Sequence, residues 1–178
     1  MSVTRENILE LGESLIRLKG YNAFSYLDIS SELGIKNAAI HYYFPLKENL
    51  GTSIVKTNVQ RFEEMVENMH SHGFDELRQL ETFIKIYIKS HREKKLCIMG
   101  SLGPDFNTLN DSTKAELKRM TEMILNWLTS ILESGKQKKI FKIGDFFKKI
   151  QLLTSDYQCF EFWMTGENCI YVCSILIK

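Results

Sequence analysis

Apolar residues recur along this chain at intervals of three and four, the period of helices that bury one face. Ile8, Leu11, Leu15 and Leu18, widened by Ile16, predict a first helix over 4–19. In 25–48, SYLDISSELGIKNAAIHYYFPLKE, the pattern shortens to two helices around a glycine. Ser25 can cap the first of them, with Asp28 where a capping-box acid belongs. Ile29 and Leu33, four apart, face inward. Gly34 supplies a tight, left-handed turn that lets the next helix cross at a steep angle. Ile35 and Ile40 anchor that second helix, and Pro45 forbids its continuation. This spacing is that of a helix-turn-helix that enters a DNA groove, and it is much rarer than a bare helical hairpin with a Gly turn.

The longer stripes follow. Val55, Val59, Phe62, Val66 and Met69 predict a fourth helix over 47–70, ended by Ser71-His72-Gly73; it would tie the first part of the chain to the rest. Leu77, Leu80, Ile84, Tyr87 and Ile88 mark an inward face over 75–91, and 92–95 is a charged break. Gly100, Gly103 and Pro104 limit any helix in 96–110 to about two turns. Ser112 is a candidate cap for a helix carrying Leu117, Met120, Ile124, Trp127 and Ile131 and fading after Gly135. After a lysine-rich turn, Phe146, Ile150, Leu153, Tyr157, Phe160 and Met164 form another stripe from 145 to about 166. Residues 169–177 are apolar almost all round, too few to cross a bilayer and too greasy to face water. Strand-type alternation is missing, so the fold class is all-α.

Composition narrows the class. A chain of 178 residues with two prolines, ten glycines, 25% charged and 44% apolar residues suits a soluble helical protein with a real core. Its start is polar and mixed in charge, unlike a signal peptide. Cysteines at 97, 159, 169 and 173 have neither the density of a disulfide scaffold nor zinc spacing, which makes a reducing cytoplasm the expected compartment. His70 and His72 point to different sides of a helix, and Cys169 and Cys173 have no His or acid beside them. Phosphate loops and hydrolase or metalloprotease motifs are lacking, so neither an enzyme nor a metal or other cofactor is expected. The net charge is only +1, and residues 1–51 hold five Lys/Arg against six Asp/Glu, low for a nucleic-acid binder. The distribution is more favourable: Lys36, His41 and Lys47 lie in 34–47 with no acid among them. Binding would rest on few phosphate contacts per subunit, doubled by dimerisation.

Residues 8–50 closely resemble the N-terminal domain of the TetR family of one-component transcriptional regulators. The resemblance is carried by the amphipathic first helix, Lys19-Gly20-Tyr21, Ala23-Phe24-Ser25, Asp28-Ile29, Leu33-Gly34-Ile35, Tyr43-Phe44-Pro45 and Lys47-Glu48, about a quarter of the chain. It implies an N-terminal three-helix helix-turn-helix DNA-binding domain (1–48) and a C-terminal helical ligand-binding and dimerisation domain (49–178). It further implies a cytoplasmic homodimeric repressor on a palindrome of double-stranded operator DNA, with a small-molecule inducer and no membrane association. In this family the last two long helices build the dimer interface. The final helix here is short against that pattern, so the tail either packs into the dimer or is a shortened C-terminus. The competing reading is a helical small-molecule-binding or thiol-sensing protein whose head has lost DNA affinity.

Within the second helix of the motif, Asn37 suits an adenine edge and equally suits a helix N-cap. Lys36 stands where the family usually has a capping Ser. Ala38 and Ala39 allow close approach to the groove and to thymine methyls. His41 replaces a common tyrosine, Tyr42 suits phosphate or base, and Lys47 is the expected phosphate clamp, whereas Tyr43 and Phe44 read as core. Leu46 replaces a second capping Ser. For the inducer pocket the resemblance implies Phe83, Tyr87, Met99, Phe106, Met123, Trp127, Phe160 and Trp163, residue types that serve equally as plain core. The run 96–102 around Cys97 is similar to that of the N-ethylmaleimide-responsive repressors, whose cysteine senses electrophiles. Lys94, Lys95 and a helix start would favour a thiolate there, while a small buried apolar residue is the plainer role.

Overall fold

The computed structural model describes residues 4–140. The stripe over 145–166, the apolar tail, and Phe160 and Trp163 lie outside the described residues, as does the side chain of Tyr87. Seven α-helices and one 3-10 turn follow in order: α1 Arg5–Lys19, α2 Tyr26–Leu33, α3 Asn37–Tyr43, α4 Lys47–Ser71, α5 Glu76–Arg92, α6 Ile98–Leu102, the turn Phe106–Thr108, and α7 Asp111–Gln137. Every regular element among the described residues is helical, as the periodicity predicts. None of these helices is long and apolar enough to cross a membrane.

The starts and stops have local causes. Thr4 caps α1 in a reciprocal pair with Asn7. Ser25 precedes α2, where the Asp28 carboxylate accepts from its N–H and hydroxyl, both at 2.7 Å. Gly34 ends α2 in the left-handed conformation (φ 65°, ψ 35°), so the turn predicted there is present. The cap of α7 is Asn110, whose side-chain oxygen accepts from Thr113 N–H at 3.1 Å, rather than Ser112. Both are good caps, and the helix starts two residues earlier than Ser112 would permit.

One contiguous core runs from Ile8 through Ile29, Ile40, Phe44, Leu50, Val55, Phe62, Leu80 and Leu102 to Leu117 and Leu132. Helix α4 is its spine, packed on α1 at one end and along α7, while α5 packs on α7 and α6 on α1. The approach of α4 to the first turn-and-helix unit is tight: a Cβ on Gly51 would stand 2.9 Å from the Tyr21 ring. Two predicted core positions are corrected. Leu18 is 56% exposed, because the buried face of α1 centres on Gly12 and Ile16 and the helical step carries Leu18 past its edge. Leu77 is 45% exposed because the buried face of α5 runs through Glu76, Leu80 and Phe83.

Candidate functional site

Helices α1 and α2 hold α3 from behind. Ile40 and Phe44 are buried against them, and the Tyr26 hydroxyl donates to Phe44 O at 2.8 Å, pinning the end of α3. Burial raises the pKa of that phenol, so it stays a neutral donor. What α3 leaves outside is a face one helical turn in repeat: Asn37 with His41, and Ala38 with Tyr42, all exposed. Lys36 occupies the cap position and is exposed, and its side chain makes no capping bond. Asn37 is therefore the first helical residue and not the cap, which leaves its amide in solvent. Ala39 is half-buried. Tyr42 is 81% exposed, with its ring edge-on to Tyr43 at 5.0 Å. Tyr43, expected in the core, is itself exposed, because the buried side of this short helix is filled by Ile40 and Phe44.

Two further candidates, His41 and Lys47, are more constrained. The His41 ring packs edge-on against Tyr26 at 4.9 Å and its Nδ1 lies 3.0 Å from Pro45 O. Lys47 turns back over the rings of Tyr21 (4.8 Å) and Phe24 (4.3 Å) and donates to Phe24 O at 2.5 Å. Burial lowers its pKa, opposed by the charges of Asp105 and Asp28. A phosphate would have to compete with these internal partners for its ammonium. Leu46, beside it, is 59% exposed.

Polar bonds join this head to α5, to the segment leading into α6 and to the 3-10 turn. Arg17 donates to Leu96 O (2.8 Å) and Ser90 Oγ (2.6 Å), and Leu96 N–H donates to Arg17 O. Asp105 accepts from the backbone N–H (3.1 Å) and side chain (2.8 Å) of Asn22. Nothing in the sequence pattern marks these residues, since both Asn22 and Asp105 sit in turns where periodicity says nothing.

Among the pocket candidates, Phe83 and Trp127 meet at 5.1 Å, and Phe62 completes the cluster at 5.4 Å from Trp127 and 6.2 Å from Phe83. Phe62 was legible as an α4 core residue but not as a member of this group. The Trp127 indole N–H is buried without a hydrogen-bond partner. Met99 is buried in α6, and its sulfur accepts from the Thr121 hydroxyl at 3.6 Å. Met123 and Phe106 are partly buried against the same core, Phe106 on the 3-10 turn under the Lys114 ammonium. Cys97 is half-buried at the cap of α6, its sulfur accepting from Gly100 N–H at 3.3 Å, next to the Leu96–Arg17 bridge.

A short helix joined to its support by a left-handed glycine turn is the geometry of a helix-turn-helix. Residues 8–52 match the model of the bacterial regulatory proteins, tetR family. A TetR transcriptional regulator from Legionella pneumophila is 27% identical, with a TM-score of 0.76 over 99% of this chain and 92% of its own. Two others share the fold. A TetR-family regulator from Agrobacterium tumefaciens is 24% identical (TM-score 0.72, 94% and 96% covered), and reduced E. coli NemR is 16% identical (TM-score 0.67, 98% and 97% covered). No curated protein matches the sequence. Over residues 8–52 the chain thus carries a domain of the bacterial tetR regulatory type, and its fold is that of these TetR-family regulators.

Proposed function

We propose that the chain is a ligand-responsive repressor that binds a palindromic operator as a homodimer, with 1–48 as the DNA-binding head and 49–178 as the ligand-binding and dimerisation body. The observation that carries this reading is the exposed α3 face of Asn37, Ala38, His41 and Tyr42 over a buried Ile40–Phe44 anchor. Asn37 reads a base edge, Ala38 and Ala39 let the helix sit deep, and Lys36 and Tyr42 contact phosphate, with Lys47 joining them on release from Phe24 O. Two heads would enter successive major grooves roughly 34–36 Å apart. Inducer enters between α5, α6 and α7, at Phe83, Met99, Met123 and Trp127, with Phe106, Tyr87, Phe160 and Trp163 as further lining. Cys97 at the cap of α6 gives an electrophile a second way to disturb the same junction.

Repeated selection of random duplex DNA on the purified protein tests this. Enrichment of a palindrome supports the repressor, and a pool that stays random overturns it. The inward turn of Lys47 favours the competing reading, a small-molecule or thiol sensor with lost DNA binding, and that second result would agree with it.

A further inference from the structure

We propose that His41 is a protonation-dependent DNA contact, so that operator affinity rises as the pH falls. The inference rests on the DNA-binding reading above and adds a regulation to it. A carbonyl oxygen only accepts, so the 3.0 Å approach of His41 Nδ1 to Pro45 O places a hydrogen on Nδ1. That bond and the edge-on packing against Tyr26 fix the ring on the exposed face of α3, one turn from Asn37. Nε2 is then the nitrogen left to face a partner outside the protein. Neutral, it is an acceptor and has nothing to offer a phosphate oxygen. Protonated, it is a charged donor to an acceptor on DNA, a phosphate oxygen or the O6/N7 edge of guanine.

The surroundings leave this proton to the DNA. From α2 the group against the ring is Tyr26, a phenol kept neutral by burial and already donating to Phe44 O. The α2 carboxylate of Asp28 is occupied by Ser25 and lies 3.6 Å from the Lys19 ammonium, and Glu32 is exposed. From the start of α4, Lys47 is turned onto Tyr21 and Phe24, and Glu48 is exposed. On its own helix His41 has Lys36 at the cap and the phenols Tyr42 and Tyr43. In a head this poor in outward cations, one extra charge per subunit is a large fraction of the electrostatic contact.

Counterion release makes each added phosphate contact worth about fivefold in affinity at ~0.15 M salt, hence roughly thirtyfold for two heads. The test is fluorescence anisotropy of the full chain on a random-sequence duplex of about 30 base pairs, long enough for two half-sites. It compares wild type, His41→Gln and His41→Arg between about pH 8 and pH 5.5. Wild type should tighten by roughly that factor, with its log–log salt slope steeper by about one per head at low pH. His41→Gln should be flat at the weak level and His41→Arg flat at the tight level. A guanine contact instead gives an unchanged salt slope but a guanine preference that appears in selected pools only at low pH, which also supports the proposal. An unchanging wild-type affinity, or a pH response that survives in His41→Gln, overturns it. Absence of binding by all three proteins at every pH removes the DNA-binding reading itself.

Discussion

Replacing Glu76 by Gln should loosen the far end of the body in a way that acid erases. Glu76 sits in the first turn of α5, 6% exposed, and one carboxylate oxygen accepts from Ser134 Oγ at 2.6 Å in the last turn of α7 and from Lys138 Nζ at 2.5 Å at its C-cap. Its other oxygen is buried with no hydrogen-bond partner. The hydrogen bonds from Lys138 and Ser134 hold its pKa at about 2, against 4.5 for a free glutamate. A folded pKa below the unfolded value means stability that is complete above about pH 5 and is lost as the pH falls toward 2. Taken whole, that displacement is worth about 3 kcal/mol. The Lys138 side chain is 62% exposed, so solvent screening brings the expected contribution to about 1–2 kcal/mol. Removing the carboxylate leaves Lys138 in water rather than stranded, so no buried-charge penalty is added. Glu76→Gln should therefore lower Tm at neutral pH by roughly 3–6 °C. Thermal and urea melts of both proteins should converge on acidification, with more than half the gap gone by about pH 3. Equal stability at pH 7, or a deficit of the same size at both ends, refutes the assignment.

Gly34→Ala should cost about 1 kcal/mol, visible in melts; its added methyl meets no neighbour, so the loss comes from the left-handed backbone, and a neutral result would show that the turn relaxes. Tyr42→Ala should weaken binding across all sequences, whereas Asn37→Ala should relax preference at one base step by about 1–3 kcal/mol, measured by competition between operator variants. An unaltered base preference in Asn37→Ala removes Asn37 from base reading. Asp105→Ala should destabilise by only about 1 kcal/mol, because its bonds to Asn22 are exposed, yet speed amide exchange through 20–25; unchanged exchange there would mean that the junction does not hold the turn.

The helical segments were legible because the long ones each bury one stripe against a neighbouring helix, and burial imposes a three-to-four-residue repeat on any sequence. Ser25–Asp28 and Gly34 were legible for a second reason: caps and left-handed turns are made by few residue types. The rotation of a helix about its own axis was less so. Leu18 and Leu77 belong to apolar stripes yet stay outside, because which neighbour covers a stripe is decided by tertiary packing. At the site, the exposed face of α3 followed from the motif, but the engagement of Lys47 with Phe24 O did not. A lysine looks the same in sequence whether its ammonium faces solvent or folds over two rings separated from it by more than twenty positions. The same holds for Asn22 with Asp105 and for Phe62 with Trp127, pairings between distant segments that leave no local signature.

The division of labour between apolar and polar contacts bears on how the head could respond to the body. The core passes through α4 without a break, so separating head from body outright would expose Leu50, Ile54 and Val55, all fully buried. Lost burial of that kind costs about 1.5–3 kcal/mol per side chain, which makes detachment inaccessible. Tilting is a different matter. Away from α4, polar bonds on the flank of the head reinforce its packing: Arg17 to Leu96 O and Ser90, and Asn22 to Asp105 and Thr108. Each is worth about 0.5–1.5 kcal/mol and can be exchanged for water. A ligand that prefers one arrangement of α6 by about 1–3 kcal/mol can therefore reset one or two of these bonds while the α4 core stays packed. Met99 ties α6 to α7 through the Thr121 hydroxyl, and Cys97 at the α6 cap directly follows Leu96, whose carbonyl holds Arg17. In the proposed function the cost of moving the head thus falls on the exposed polar flank, where ligand binding energy is large enough to meet it.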